Sequence, residues 1–288
     1  MQRPLSMVGF RRILLPLDVD RPTTSSLRET AAIARRFSSS VIVLCVVRPA
    51  DAGRDDDDAV TRAVARAAAE LERTVRAELT DVEAKCLVRV GDPAREIVRA
   101  AHDLRADLVV VRPRARIESV SAEVLVDAPC AVWSIPERPL GAIPYRLTVR
   151  AILCGVEFTP RDRLAIATAA SLARELDAEL TLVHASPSTR IYGPGGSYEI
   201  PERRAAVLAE ARERLRDLVR DANVHASTFA DTGELVDVLN EAATRCGAEL
   251  VVVGQCPPFA ARGSCLHVMQ KAVVPVLGVD NREPLGRR

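Results

Sequence analysis

The chain has 288 residues, of which 48% are hydrophobic and only 3% aromatic, with a formal net charge of +1. That is enough apolar material for one large or two ordinary cores, which excludes a disordered tail protein. Near-neutral charge and scarce aromatics argue against a nucleic-acid or anionic-membrane binder. No apolar run nears the ~20 residues that span a bilayer, and Met1 to Arg12 lacks the apolar core of a secretory signal. Seven scattered cysteines without a C-x-x-C pair point to a reducing cytoplasm.

In chain order, Arg12 to Leu17 reads as a strand with Asp18 at its end. Ser25 or Ser26 is the expected cap of a helix on which Leu27, Ala31 and Ala34 share a face. Val41 to Val47 is a second strand. Asp55 to Asp58 follow, read either as a hard-cation site or as a solvated loop favouring the next helix N-terminus. Val60, Val64, Ala68, Leu71 and Val75 mark that helix, and Ala84 to Val90 a third strand. Gly91-Asp92-Pro93 turns into a helix ending near Arg105, and Asp107 to Val111 is strand four. Arg112-Pro113-Arg114-Ala115-Arg116 comes next: an anion site built on three guanidinium groups, or a solvated charged loop. Ala131 to Ile135, with the only tryptophan, Trp133, closes this half, and the proline-rich run from Pro136 to Thr148 suits a linker.

The order then repeats at a spacing of ~140 residues, a whole domain rather than a solenoid unit. Arg150 to Glu157 answers the first strand, Leu164 to Leu176 the first helix, and Glu179 to His184 the second strand. Gly193-Pro194-Gly195-Gly196 reads as a flexible loop. Val207, Leu208, Ala211, Leu215 and Leu218 form a helical stripe, Val224 to Phe229 a strand, and Leu235 to Cys246 a helix. Leu250 to Val253 is a buried strand ending at Gly254, Gly263-Ser264 starts a helix-like segment, and Val273 to Val279 is the last apolar run. Strands alternating with helices at this spacing call for parallel sheets with right-handed crossovers. The expected fold class is therefore α/β, two tandem Rossmann-like domains over residues 8–138 and 148–281, each a mainly parallel five-stranded sheet flanked by helices.

The stretch from Leu250 to Val279, with its "VVVG" strand, glycine loop, "GS" and "PVLGV" strand, resembles the universal stress protein family. Gly91-Asp92-Pro93 is a second point of resemblance. Nucleotide-binding members carry G-x2-G-x9-G-[S/T]. Here Gly254 and Gly263-Ser264 match the ends of that pattern, Pro257 replaces the middle glycine, and the loop is about four residues short. In the first copy the glycines are gone. The resemblance implies ATP or another adenine nucleotide as cofactor, held in the second domain by Glu157, Ala185, Gly254, Gly263 and Ser264. Asp18 is the matching acid of the first domain. It also implies stress-response regulation without turnover, pairing of the two domains through their last strands, a possible homodimer and an unknown protein partner. A non-nucleotide-binding scaffold of the same fold is the alternative, and a nucleotide-handling enzyme a third class. Ser264 with His267 has no orienting acid to make a nucleophile. His184 is expected to be packed or hydrogen-bonded. Cys256 and Cys265 read as a thiol sensor or as ordinary free cysteines.

Overall fold

A computed structural model describes residues 9–20, 24–49, 57–113, 120–136, 147–160, 162–193, 196–254 and 264–279. The chain divides into two compact units, one spanning Gly9–Thr148 and the other carrying the chain from Val149 onward. The fold class is the α/β one expected.

The first unit runs β1 (Arg12–Pro16), α1 (Thr24–Phe37), β2 (Ser40–Val47), α2 (Asp57–Glu78), β3 (Ala84–Val90), α3 (Pro93–Asp103), β4 (Leu108–Val111), α4 (Val120–Asp127) and β5 (Ala131–Ser134). Its strands lie in the order β5-β4-β1-β2-β3, and every pairing is parallel. Ile13, Leu14 and Leu15 of β1 and all four residues of β4 are buried, as expected of central strands covered on both faces. Each fully buried Leu or Ile contributes about 1.5–3 kcal/mol.

The second unit repeats the plan. It runs β6 (Ala151–Gly155), α5 (Asp162–Leu176), β7 (Glu179–Ser186), β8 (Arg190–Gly193), β9 (Gly196–Glu199), α6 (Pro201–Ala222), β10 (Ser227–Thr232), α7 (Leu235–Cys246), β11 (Leu250–Gly254), α8 (Ser264–Lys271) and β12 (Val276–Val279). The order is β10-β7-β6-β11-β12, again parallel. The halves share finer detail as well. Gly91 and Gly233 follow their strands at φ +152° and +140°, backbone that L side chains rarely adopt, and their N–H groups bond Val47 O at 3.0 Å and Ser186 O at 2.9 Å. After Gly91, Asp92 caps α3 by accepting from Arg95 N at 3.1 Å, with Pro93 at the first helical position.

Four local expectations differ. Helix α1 begins at Thr24, so Ser25 and Ser26 lie inside its first turn, where Ser25 Oγ accepts from Arg112 instead of capping. The expected strand from Val224 sits three residues later as β10, because Asn223 ends α6 in the left-handed region and β7 continues to Ser186, whose partner is Thr232. Gly193 and Gly196 bound an antiparallel hairpin in which Arg190 pairs with Glu199. That hairpin is tied down by Arg204, whose guanidinium reaches Glu199 at 3.5 Å and Asp231 at 2.5 Å. The last strand begins at Val276, and Val273 is exposed. Among the described residues no helix is long and apolar enough to cross a membrane.

Trp133 on β5 is 1% exposed and its indole N–H donates to the buried Glu29 carboxylate of α1 at 3.0 Å. Removing a donor from a buried carboxylate costs about 1–3 kcal/mol. Trp133→Phe should lower unfolding free energy by that amount in urea titrations followed by circular dichroism. An unchanged midpoint and slope would refute a structural role for this bond.

Candidate functional site

In an open parallel sheet, ligands bind beyond the carboxyl ends of the strands, where the chain order reverses. In the first domain that point lies between β1 and β4. A cleft of about 770 Å³ opens there, at the carboxyl ends of β1, β2 and β4 and the N-terminal ends of α2, α3 and α4. Its size falls in the usual range for small-ligand sites, about 300–1,000 Å³.

Each wall follows from the chain around it. Leu17 N bonds Leu44 O at 2.8 Å as the last rung between β1 and β2, so Asp18 leaves the sheet exposed and lining the cleft. Asp18 Oδ1 then accepts from Asp20 N at 3.1 Å, fixing the turn. From α2, Arg66 approaches Asp20 Oδ1 at 3.4 Å; both side chains are largely exposed, so this pair steers more than it stabilises. Arg112 follows β4, where the family pattern starts its glycine loop, and its guanidinium donates to Ser25 Oγ at the start of α1. The tether holds one edge of a planar, permanently charged group beside the cleft. Cys45 also lines the cleft, and burial pushes its thiol pKa up, which makes it a neutral wall rather than a nucleophile.

The second domain places its expected residues on the same frame. Val156 N bonds Val183 O at 2.9 Å, and Glu157 emerges exposed beyond β6. Ala185 lies in β7 beside Asp231 of β10, and Gly254 ends β11 opposite Val279. Ser264 is the first residue of α8, with Cys265 after it and His267 exposed on the same helix. Gly263, Cys256, Pro257, Arg114, Arg116, Asp55 and Asp56 lie outside the described residues.

Sequence reasoning missed a cluster beyond β6. Asp162, 6% exposed, accepts from Glu157 N at 3.3 Å, Thr159 N at 2.8 Å and Thr159 Oγ1 at 3.4 Å. Thr159 followed three residues later by an acid, just before an apolar helix, is the signal that would have found this turn. Within it Phe158 sits at φ +58°, a left-handed backbone that costs a side-chain-bearing residue roughly 1–2 kcal/mol. Its ring lies 4.1 Å from the His184 ring, centroid to centroid, and the Arg214 guanidinium of α6 stands 4.0 Å from its centroid. His184 Nδ1 donates to Val156 O at 2.9 Å, since a carbonyl can only accept. His184 is thus packed and hydrogen-bonded, as expected.

Burial lowers the His184 pKa, Arg214 pushes the same way, and the Val156 carbonyl with Asp162 and Glu157 opposes them. A native imidazole with a depressed pKa takes up its proton later than the unfolded one. Stability is therefore complete above the ordinary imidazole value of about 6.5 and is lost as pH falls below it. Denaturation between about pH 7.5 and about pH 5.5 should show the wild type losing more stability than His184→Gln. Equal losses would mean that His184 titrates normally.

The universal stress protein family matches the chain twice, over residues 9–136 and 148–279. A universal stress protein from Archaeoglobus fulgidus is 18% identical with a TM-score of 0.69, covering 94% of this chain and 97% of that one. A putative universal stress protein from Pseudomonas aeruginosa is 18% identical with a TM-score of 0.62, covering 96% of this chain and 95% of its own. A universal stress protein solved in complex with cAMP is 18% identical, covering 44% of this chain and 98% of its own, with a TM-score of 0.34. No curated protein matches the sequence.

Proposed function

Because the chain belongs to the universal stress protein family, as two family domains in tandem, we propose that it is a non-catalytic, ligand-responsive stress regulator. Its ligand in this reading is an adenine nucleotide seated in the first-domain cleft. The observation that carries the proposal is that cleft, open at the switch point and lined by Asp18 and Arg112. The resemblance alone favoured the second domain, through Glu157, Ala185, Gly254, Gly263 and Ser264. The first domain is favoured in this reading by its cavity of about 770 Å³ at the switch point. A nucleotide needs a donor-seeking edge and an anion site. Asp18 supplies acceptor oxygens for an amino group, and the Arg112 guanidinium supplies charge where backbone amides of a glycine loop would otherwise serve.

Calorimetry of the full chain with ATP, ADP and AMP tests this. Asp18→Ala should weaken binding about tenfold or more, the size of one charged hydrogen bond. Absence of heat and of co-purifying nucleotide in folded protein would overturn the reading and put the partner-binding scaffold first.

Arg112→Ala makes a separate forecast. It should weaken the phosphate-bearing ligands at least fivefold while leaving adenosine affinity unchanged, since only the former meet the guanidinium. Equal loss for adenosine would show that Arg112 shapes the cleft instead of reading an anion.

A further inference from the structure

The first-domain cleft carries positive charge on two sides, and Asp18 stands between them. Sheet order places β1 between β4 and β2. Neighbouring strands lie about 4.8 Å apart, so the ends of β4 and β2 are separated by about 10 Å. On the β4 side, Arg112 and the first residues of α4, Val120 and Ser121, line the cleft together. A guanidinium and a helix N-terminus both favour negative charge.

On the β2 side, Gly91 N bonds Val47 O at 3.0 Å, which holds the chain just before Arg48. Arg48 is exposed there and lines the cleft. Arg66 comes from α2, which packs against β2 and β3. It shares a helix face with Ala63 and Ala67, which also line the cleft, and their small side chains leave the guanidinium room. Its pair with Asp20 at 3.4 Å joins two side chains that are each 74% exposed, a contact that a ligand phosphate can displace.

We infer that the cleft holds two anionic groups of one ligand, a nucleotide phosphorylated on its ribose as well as at the 5′ position. The 5′-phosphate meets Arg112, the second phosphate meets Arg48 and Arg66, and the base donates to Asp18. A phosphate accepts several charge-assisted hydrogen bonds at once, and planar guanidinium groups suit that geometry. A nucleotide with a 5′ chain alone leaves the β2 side unmatched. Arg48 and Arg66 are thereby specificity-determining residues, selecting nucleotides by where their phosphates sit and not by how many they carry.

The inference rests on nucleotide binding in the first domain, and the test separates the two. Calorimetry compares AMP, ADP and the 2′,5′- and 3′,5′-bisphosphates of adenosine, on the wild type, Arg48→Ala and Arg66→Ala. ADP is the control, because it adds charge at the 5′ end alone. One of the two bisphosphates should bind about tenfold or more tighter than AMP, the scale of one charge-assisted hydrogen bond. Arg48→Ala and Arg66→Ala should each cut that preference by about fivefold or more, with the ratio of ADP to AMP affinity unchanged. Both substitutions replace exposed side chains, so the variants should keep the wild-type circular dichroism spectrum. Bisphosphates binding no tighter than AMP would overturn the inference and leave the nucleotide reading standing, as would an equal loss for ADP in the variants. No heat from any of the four in folded protein would overturn both.

Discussion

The placing of every candidate site residue in this protein depends on where the first strand of each domain is held. β1 lies between β2 and β4, and β6 between β7 and β11, each in parallel register with both neighbours. A strand so placed is a point from which successive crossovers depart in opposite directions, and the helices that follow diverge. The crevice is a consequence of that divergence and not of any particular side chain. The last rungs, Leu17 N to Leu44 O and Val156 N to Val183 O, then fix where the chain leaves the sheet. Asp18 and Glu157 are the first residues beyond them.

From one frame the two domains diverge by chemistry. A long helix stands over the sheet end in each and lends an arginine to the turn beyond the first strand. In the first domain Arg66 meets the carboxylate of Asp20, an exposed pair that leaves the cleft lined with charge. In the second, Arg214 meets the face of Phe158, and a charge–carboxylate contact is replaced by a cation over an aromatic ring. The position beside it is kept neutral in both, by opposite routes. Burial raises the thiol of Cys45 and lowers the imidazole of His184, so each holds its uncharged form. Cys45 and His184 thus present uncharged groups beside the first-strand turn in each domain.

The architecture was legible because it rests on patterns that are local and repeated. Runs such as Leu108–Val111 and Leu250–Val253 are too apolar for anything but central strands, and helices of suitable period separate them. Errors fell where a partner decides an element's limits. β10 starts at Ser227 because β7 extends to Ser186, and the glycines near 193–196 bound a hairpin because Arg190 and Glu199 pair. The local pattern suggests Ser25 or Ser26 as a cap, whereas Arg112, 87 residues from Ser25, claims its hydroxyl.

What the sequence determined by itself was the tandem α/β plan, its parallel order and the acid at the end of each first strand. Periodicity, glycine and proline placement and the internal repeat are all written along the chain. Only the tertiary structure showed the open cleft of the first domain and the packing of Phe158 against His184 and Arg214 in the second. That packing turns on the sign of one backbone angle at Phe158 and on the approach of Arg214, 56 positions later, neither of which leaves a local mark. A side chain's reach across a sheet end is a property of packing, and packing is settled only when distant segments meet.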